Sequence, residues 1–244
     1  MLNVIYEDNH IIVVEKPVNV PSQEDKTGDK DMLTEVKDYL KVKYNKPGNV
    51  YVGLVHRLDR PVGGIMIFAK TSKAASRLSE SIRVKDFKKT YLAVVNNENL
   101  KQEAVLEDYL FKNEALNKSM VVSKDKHNAK LARLNYKVLE SIKFKNSNDD
   151  YLVDDIKSAK VNNGLSLVEI NLETGRHHQI RVQFASRGNS LYGDQRYGSG
   201  PKGEQIALWA YKIEFKHPVK DEYMTFECKP KAIGIWSKFS YLRT

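Results

Sequence analysis

The chain has 244 residues, of which 41% are hydrophobic and 29% charged, so it can bury the core of one large domain or two small ones. It has no run of about 18 apolar residues and no basic start followed by an apolar stretch, so we expect no membrane span, no signal peptide and a cytoplasmic location. A net charge of +9, from 40 Lys and Arg against 31 Asp and Glu, favours a polyanionic partner but also fits a basic protein without one.

In the first half of the chain, regularly spaced apolar residues predict two helices, and Thr71 or Ser72 can cap the second of them. Runs of β-branched and apolar residues predict the strands. In chain order, the predicted elements are strands at 4–6 and 11–15, a helix at 33–44, an extended segment at 50–54, a strand at 65–69, a helix after residue 72 and a strand at 91–95.

Strand patterns dominate the second half of the chain. Gly175 begins a turn into a helix that we expect to run from His177 or His178 to Ser186. The single cysteine, Cys228, cannot form an internal disulfide, and we expect a packed thiol rather than a nucleophile. The remaining strands are predicted at 104–111, 119–123, 132–144, 165–172, 206–215 and 223–228.

Residues 146–163 differ from their surroundings because they are rich in Asn and Asp. We interpret them as a polar surface insertion between two strands and not as a domain boundary. The pattern as a whole predicts an α+β fold, in which a mixed, mainly antiparallel sheet with few helices forms a single domain over residues 1–244.

The first segment that points to chemistry is 56–64, where Asp59 stands in a turn rich in glycine and proline between two apolar strands. Such a turn can hold a carboxylate still at the edge of a cleft. Arg57 and Arg60 flank Asp59, and nearby cations favour the ionised carboxylate. The alternative interpretation is an ordinary surface turn with an Asp–Arg pair.

A second segment, 172–182, combines a strand end, a glycine turn and a helix start dense in cations. Helix N-termini attract anions and arginine forks fit phosphate or carboxylate, so Arg176 and Arg181 are candidates for anion contacts. A helix that begins near His177 would place His177 and Arg181 on one face. The adjacent histidines have no acid or thiol at metal-ligand spacing, so the pattern disfavours the alternative of a zinc site.

A third segment, 88–95, predicts a strand that carries Tyr91. The ring of Tyr91 can stack on a base that has left its helix. The alternative is a tyrosine of the hydrophobic core. An acidic turn, an arginine-rich helix start and an aromatic residue can together build one pocket in a basic protein, although the sequence does not show that they meet in space.

Residues 56–59, His-Arg-Leu-Asp, followed by Gly64, resemble the His-Arg-Leu-Asp signature of the RluA-type pseudouridine synthases. Residues 174–182, Thr-Gly-Arg-His-His-Gln-Ile-Arg-Val, resemble the later signature of the same family. Further matches lie in the same order along the chain, at 12–17, 89–93, 192–198 and 215–218.

The resemblance covers almost the whole chain and implies a mixed, mainly antiparallel sheet with a central catalytic cleft. It implies an isomerase that converts a specific uridine of structured ribosomal RNA, transfer RNA or both to pseudouridine, without a cofactor and without a metal. RNA is the implied partner. We expect a monomer, and we expect the catalytic domain to grip the RNA without a separate S4 module.

The resemblance also implies a role for each matching residue. Asp59 matches the essential aspartate, which attacks the nucleoside or otherwise drives detachment of the base. Tyr91 matches the tyrosine that stacks on the target base and helps to deprotonate C5, and Arg181 matches the basic residue that pairs with the aspartate. Arg57 matches an arginine that fills the gap left by the flipped base. We expect further RNA contacts from Arg60, Lys89, Arg176 and His178.

Three residues depart from the family pattern. Gly63 stands where a serine is common, Gln183 where a histidine is usual, and Trp209 in a segment that is often Leu-His-Ala. Glycine loosens the turn after Asp59, because it adopts backbone angles that serine does not. We expect these departures to affect substrate contacts more than the chemistry.

Two other functions remain open at this stage. One is an RNA-binding protein of the same fold that does not catalyse. The other is a hydrolase or nuclease that uses Asp59 with His177 and His178, and such chemistry usually needs a metal cation.

Overall fold

The computed structural model describes residues 2–144, 164–200 and 203–243, so the insertion predicted at 146–163 lies outside the described residues. The chain divides into two compact units. Unit 1 comprises Met1–Lys89 and Trp209–Lys229, and unit 2 comprises Thr90–Leu208 and Pro230–Thr244.

Eleven strands and three α-helices form within the described residues. The strands are β1 (Asn3–Glu7), β2 (Ile11–Lys16), β3 (Gly53–Leu54), β4 (Gly63–Ala69), β5 (Lys88–Val95), β6 (Glu103–Asn113), β7 (Lys118–Val122), β8 (Lys130–Lys143), β9 (Gly164–Leu172), β10 (Leu208–Lys216) and β11 (Tyr223–Glu227). The helices are α1 (Met32–Lys43), α2 (Ser72–Arg83) and α3 (Gln179–Ala185), and two short 3-10 helices follow at Gly234–Lys238 and Ser240–Leu242. Each α-helix has at most 12 residues, too few to cross a bilayer.

The strands of unit 1 are arranged in the order β1, β2, β4, β10, with β3 paired to β4 and β11 paired to β10. All of these pairings are antiparallel except that of β4 with β10. In unit 2 the order is β5, β9, β8, β6, β7, and every pairing is antiparallel. The predicted α+β fold with a mixed, mainly antiparallel sheet is therefore confirmed.

Burial explains why the central strands of unit 1 are so apolar. Every residue of β4 is buried, as in a central strand with both faces covered, and β2 and β10 pair with its edges. Helix α1 buries Met32, Val36 and Leu40 on one face and is capped by Asp31, whose side chain accepts a hydrogen bond from the backbone N–H of Thr34 at 3.1 Å. The N-cap of α2 is Thr71, one of the two residues predicted for that position.

Helix α3 differs from its prediction at its start. His178 occupies the left-handed region, with φ of 53°, so the helix begins at Gln179 and His177 lies outside it. The side chain of Gln179 stabilises the preceding turn by accepting hydrogen bonds from the hydroxyl of Thr174 at 2.8 Å and the backbone N–H of Arg176 at 3.0 Å. The prediction that His177 and Arg181 share a helical face is therefore wrong.

His217 connects the end of β10 to the turn between β1 and β2. Its buried ring donates from Nε2 to the Asp8 carboxylate at 2.8 Å, while Nδ1 accepts from the backbone N–H groups of Val219 and Lys220. Asp8 in turn accepts from the backbone of His10 and Ile11. The sequence match at 215–218 thus includes a residue that fixes the fold of unit 1.

Cys228 follows β11 directly and is half-buried. Burial raises the pKa of its thiol to about 12, and the nearby Glu15 acts in the same direction. The thiol is therefore protonated at neutral pH and a poor nucleophile, in agreement with the sequence prediction.

Glu7 is the acidic centre of a cluster on unit 1. Its side chain is only 6% exposed and accepts from Lys43 at 2.7 Å, Lys70 at 2.6 Å and the Tyr44 hydroxyl at 2.7 Å. Burial alone would raise the pKa of Glu7, but the hydrogen bonds from the two lysines and Tyr44 outweigh it and hold the pKa at about 2.

We predict that Glu7→Gln lowers the free energy of unfolding by about 2 kcal/mol at pH 7. Because the folded-state pKa lies below the ordinary value of 4.5, this contribution is complete above pH 4.5 and is lost as the pH falls towards 2. Urea unfolding of wild type and variant at several pH values measures it. Glu80→Gln, which removes an exposed carboxylate paired with Arg83, is the control and should change stability much less. A Glu7→Gln effect that is the same at pH 3 as at pH 7 would contradict the prediction.

Candidate active site

Asp59 lies in the turn that precedes β4, and its neighbours fix that turn. The carbonyl of Asp59 accepts from the backbone N–H of Val62 at 3.0 Å. The residue before it, Leu58, is clamped by Ser22, whose hydroxyl accepts from the Leu58 N–H at 3.1 Å and donates to the Leu58 carbonyl at 2.8 Å. The carboxylate is therefore carried on a backbone with little freedom to move.

Lys16 is a buried cation beneath the same turn. Its side chain is 0% exposed, and its ammonium donates to the carbonyls of Pro17 at 3.0 Å, Arg60 at 3.0 Å and Val62 at 2.7 Å. Burial lowers the pKa of Lys16 to about 7, while the negative charge of Asp59 acts to raise it. Lys16 thus satisfies two carbonyls of the turn and, when protonated, places a positive charge near the carboxylate. Lys16 lies within the sequence match at 12–17, which alone implies no role for it.

Gly63 and Trp209, two departures from the family pattern, face each other in the parallel pairing of β4 with β10. A Cβ atom on residue 63 would lie 2.3 Å from Cζ3 of the Trp209 ring. The indole N–H of Trp209 donates to the Cys228 carbonyl at 2.7 Å, which fixes the ring in this position. The indole therefore occupies the space that a side chain at residue 63 would need. The glycine at 63 and the tryptophan at 209 are thus structurally coupled departures.

The third departure, Gln183, is 0% exposed. Its amide nitrogen donates to the Asp108 carboxylate at 2.7 Å and to the carbonyls of Leu106 at 3.2 Å and Ala132 at 3.3 Å. It therefore connects α3 to β6 and β8. The residue lies in the core, and the expectation that this departure affects substrate contacts stays a prediction.

The two arginines that flank Asp59 have different surroundings. Arg57 is exposed and forms no hydrogen bond or ion pair with any other residue that the structure describes. Arg60 pairs with Asp29 and Asp25 and donates to the hydroxyl of Thr27 at 2.8 Å. Arg60 is therefore already paired with carboxylates, whereas no carboxylate of the described residues competes with a nucleic acid for the guanidinium of Arg57.

Arg181 projects from α3 and is held by an acidic partner. It is 6% exposed and forms a two-pronged ion pair with Asp194, from Nε at 2.9 Å and from Nη2 at 2.8 Å. Burial acts to raise the pKa of Asp194, but hydrogen bonds and charge from Arg181 lower it, so the carboxylate is ionised. Asp194 also accepts from the backbone N–H groups of Arg196 and Tyr197. Sequence reasoning missed this role, although Asp194 lies in the match at 192–198.

His178 is held in one orientation by Tyr197. The Tyr197 hydroxyl accepts from the backbone N–H of Ser119 at 2.8 Å and lies 2.9 Å from His178 Nδ1. We assign the hydroxyl proton to this second contact, which makes Nδ1 the acceptor and leaves the ring proton on Nε2. The neighbouring ring of His177 stacks on that of His178 with centroids 3.7 Å apart. Within the ranges that the structure describes, no three His, Cys, Asp or Glu side chains are grouped as metal ligands would be.

Tyr91 and Arg176 complete the predicted set. Tyr91 pairs with Ile170 across β5 and β9 and is 8% exposed, and its role in stacking on a base stays a prediction. Arg176 is exposed and donates from Nε to the Leu131 carbonyl at 2.8 Å. The predicted residues are thus divided between the two units, with Arg57, Asp59, Arg60 and Lys89 in unit 1 and Tyr91, Arg176, His178 and Arg181 in unit 2.

We predict that the Gly63–Trp209 contact couples the two positions. Gly63→Ser alone should lower the free energy of unfolding by about 2 kcal/mol through overpacking, and Trp209→Leu alone by about 3 kcal/mol through loss of buried area. The double variant should be at least about 1 kcal/mol more stable than the sum of these losses predicts, because the serine then has space. Urea unfolding of all four proteins measures the coupling, and strictly additive losses would contradict it.

We also predict that Asp194→Asn lowers turnover at least about tenfold with little change in KM, because the asparagine cannot hold the Arg181 guanidinium by two charged contacts. It should also cost about 3 kcal/mol of stability, since it removes the carboxylate that holds the buried Arg181 guanidinium by two charged contacts. Asp108→Asn, which breaks the more exposed pair with Arg187, is the control and should retain turnover. Wild-type turnover in folded Asp194→Asn would contradict the positioning role.

Comparison with known proteins agrees with the sequence signatures. The pattern of the family described as RNA pseudouridylate synthase matches residues 10–186. The chain is 31% identical over 228 residues to the RNA pseudouridine synthase YhcT of Bacillus subtilis (strain 168), covering 93% of this chain and 68% of that protein. It is 26% identical over 240 residues to the ribosomal large subunit pseudouridine synthase D of Zymomonas mobilis (strain ATCC 31821), covering 93% and 69%.

Solved structures show the same fold. Human RNA pseudouridylate synthase domain containing 4 superposes with a TM-score of 0.70 at 19% identity, covering 94% of this chain and 89% of that one. Human RNA pseudouridylate synthase domain containing 1 gives a TM-score of 0.68 at 20% identity, covering 95% and 84%. The family pattern matches most of the chain, and the relatives are named pseudouridine synthases. The chain therefore belongs to the RNA pseudouridylate synthases, a family of isomerases.

Proposed function

We propose that this protein isomerises one specific uridine of a structured RNA to pseudouridine, in ribosomal RNA, transfer RNA or both. Several relatives are named ribosomal large subunit pseudouridine synthases, and these names favour the large-subunit ribosomal RNA. The net charge of +9 supports a polyanionic substrate.

The observation that carries the proposal is the construction of the Asp59 turn. An exposed, unspecialised acidic turn would not need a buried lysine that binds two of its carbonyls or a buried serine that clamps the preceding residue. Such support is expected where a reacting group must stay within a fraction of an ångström of its productive position. Asp59 is therefore the residue to which we assign the chemistry.

The proposed reaction breaks the N1–C1′ glycosidic bond of the uridine and forms a C5–C1′ bond, while C5 loses its proton and N1 gains one. Asp59 attacks the nucleoside, or otherwise drives detachment of the base, as an anion. Tyr91 stacks on the detached base and helps to remove the proton from C5, and Arg181 is the basic partner that favours the ionised aspartate. The exchange involves no net oxidation or reduction, and the proposal includes no cofactor and no metal.

The base must leave its stack before it can rotate, which costs on the order of a few kcal/mol. Contacts to the flanking phosphates can offset that cost. We propose that Arg57 fills the gap left by the flipped base, since its guanidinium has no partner among the described residues. His178, with a ring proton on Nε2, and Arg176 are the proposed donors to the RNA from unit 2. A monomeric state and a cytoplasmic location stay predictions.

The first test is a pseudouridine map of total RNA from cells that lack the gene, by carbodiimide labelling and primer extension. We expect one site in ribosomal or transfer RNA to lose its mark, and wild type to restore it. Asp59→Asn should not restore it, because the amide is not a nucleophile. Asp221→Asn, which changes a carboxylate that is 91% exposed, is the control and should restore it fully.

The same experiment separates the two other functions. Restoration of the mark by Asp59→Asn would overturn the role of Asp59 while leaving the activity in place. A map that does not change at all would favour an RNA-binding protein without catalysis. A nuclease would instead cleave the RNA and depend on an added divalent cation. RNA that stays intact, with the mark restored in the presence of a chelator, would exclude it.

A further inference from the structure

Lys89 has unusual surroundings for a partly buried lysine. Other shielded lysines of unit 1 have their charge satisfied, Lys16 by three carbonyls and Lys70 by Glu7. Lys89 is half-buried, and its ammonium forms no hydrogen bond or ion pair with any other residue in the described ranges. Burial lowers its pKa, and no opposing charge contributes. The cost of removing water from this cation is thus not offset within the described protein.

His56 shows that the interior next to Lys89 is also poor in acceptors. Its Nε2 accepts from the backbone N–H of Ile67 at 3.1 Å, so the ring proton is on Nδ1. Nδ1 is inaccessible and has no acceptor in the part of the chain that the structure describes. Burial, and then the charge of Lys89, lower the pKa of His56 to about 3. The imidazole is therefore neutral, and Lys89 supplies the charge at this position.

The next residue in sequence, Arg57, is an exposed cation that also has no partner among the described residues. Arg57 is thus the chain neighbour of a neutral imidazole on which the charge of half-buried Lys89 also acts. An oxygen anion is the ligand that such a surface accommodates best. Nucleic-acid phosphates are the anions that proteins bind with lysine and arginine in this way.

We infer that Lys89 is the centre of an anion subsite on unit 1 that binds one phosphate of the RNA substrate. The inference rests on the proposed function for the source of the anion. The unpaired ammonium slightly lowers the stability of the RNA-free protein, and the phosphate provides the missing counter-ion when RNA binds. The competing interpretation is an ammonium that simply extends into water along a buried stem.

The test measures RNA binding without turnover, in an Asp59→Asn background. The probe is unmodified large-subunit ribosomal RNA transcribed in vitro, bound at a series of KCl concentrations. Lys89→Met should weaken binding about tenfold near 0.1 M salt and reduce the slope of log K against log salt by about one. Lys88→Met, which removes the exposed neighbouring charge, should change the affinity less than about twofold. Lys89→Arg should retain most of the affinity.

A second readout separates a binding role from a structural one. Without RNA, Lys89→Met should melt at the same temperature as the parent or higher, because it removes a poorly solvated and unpaired charge. A lower melting temperature, or equal losses of affinity in Lys88→Met and Lys89→Met with no change in slope, would overturn the inference.

The source of the anion is tested by NMR titration of the Lys89 side chain, with inorganic phosphate alone and with the ribosomal transcript. A pKa that rises with the transcript but not with millimolar phosphate supports an RNA phosphate. A rise with inorganic phosphate alone would overturn that assignment in favour of a site for a free anion. These readouts do not depend on catalysis, so a protein that binds through Lys89 but makes no pseudouridine would contradict the proposed function and leave the subsite standing.

Discussion

The ammonium of Lys16 is the interaction on which the geometry of the acidic turn depends. Lys16 is opposite Gly64 in the pairing of β2 with β4, so the strand register carries it under the turn. A buried charge is costly unless its hydrogen bonds are complete, and three backbone carbonyls complete them here. Any movement of the turn would break those bonds and leave the ammonium buried without acceptors. The turn, and Asp59 with it, therefore resists displacement.

Unit 2 uses the same principle with a different pair of groups. Asp194 is inaccessible, and its two oxygens receive the Arg181 fork together with two backbone N–H groups. The fork orients a guanidinium that would otherwise rotate about several bonds. In both units, therefore, a buried charged residue fixes the position of a residue expected to act on the substrate, Lys16 through the carbonyls of the Asp59 turn and Asp194 through the Arg181 guanidinium.

Much of this fold follows from the sequence, because buried strands and amphipathic helices leave periodic patterns. Helix α1 begins one residue earlier than its predicted start, and the turn that bears Asp59 ends earlier than predicted, because Gly63 and Gly64 already belong to β4. The start of α3 could not be predicted from the sequence, because the left-handed backbone conformation of His178 produces no periodic pattern of apolar residues. Asp194 and Lys16 were missed as partners because hydrogen bonds between distant segments depend on strand register, which one sequence does not reveal.

The contact between Gly63 and the Trp209 ring has a historical consequence. A side chain at residue 63 and an indole at residue 209 cannot occupy the same space. A chain with both serine at residue 63 and tryptophan at residue 209 would be destabilised, so evolution would seldom pass through it. If an ancestor had the serine that is common in the family, the glycine had to arise before the tryptophan. With the indole in place, a return to serine at residue 63 would be unfavourable, so the contact makes the exchange hard to reverse.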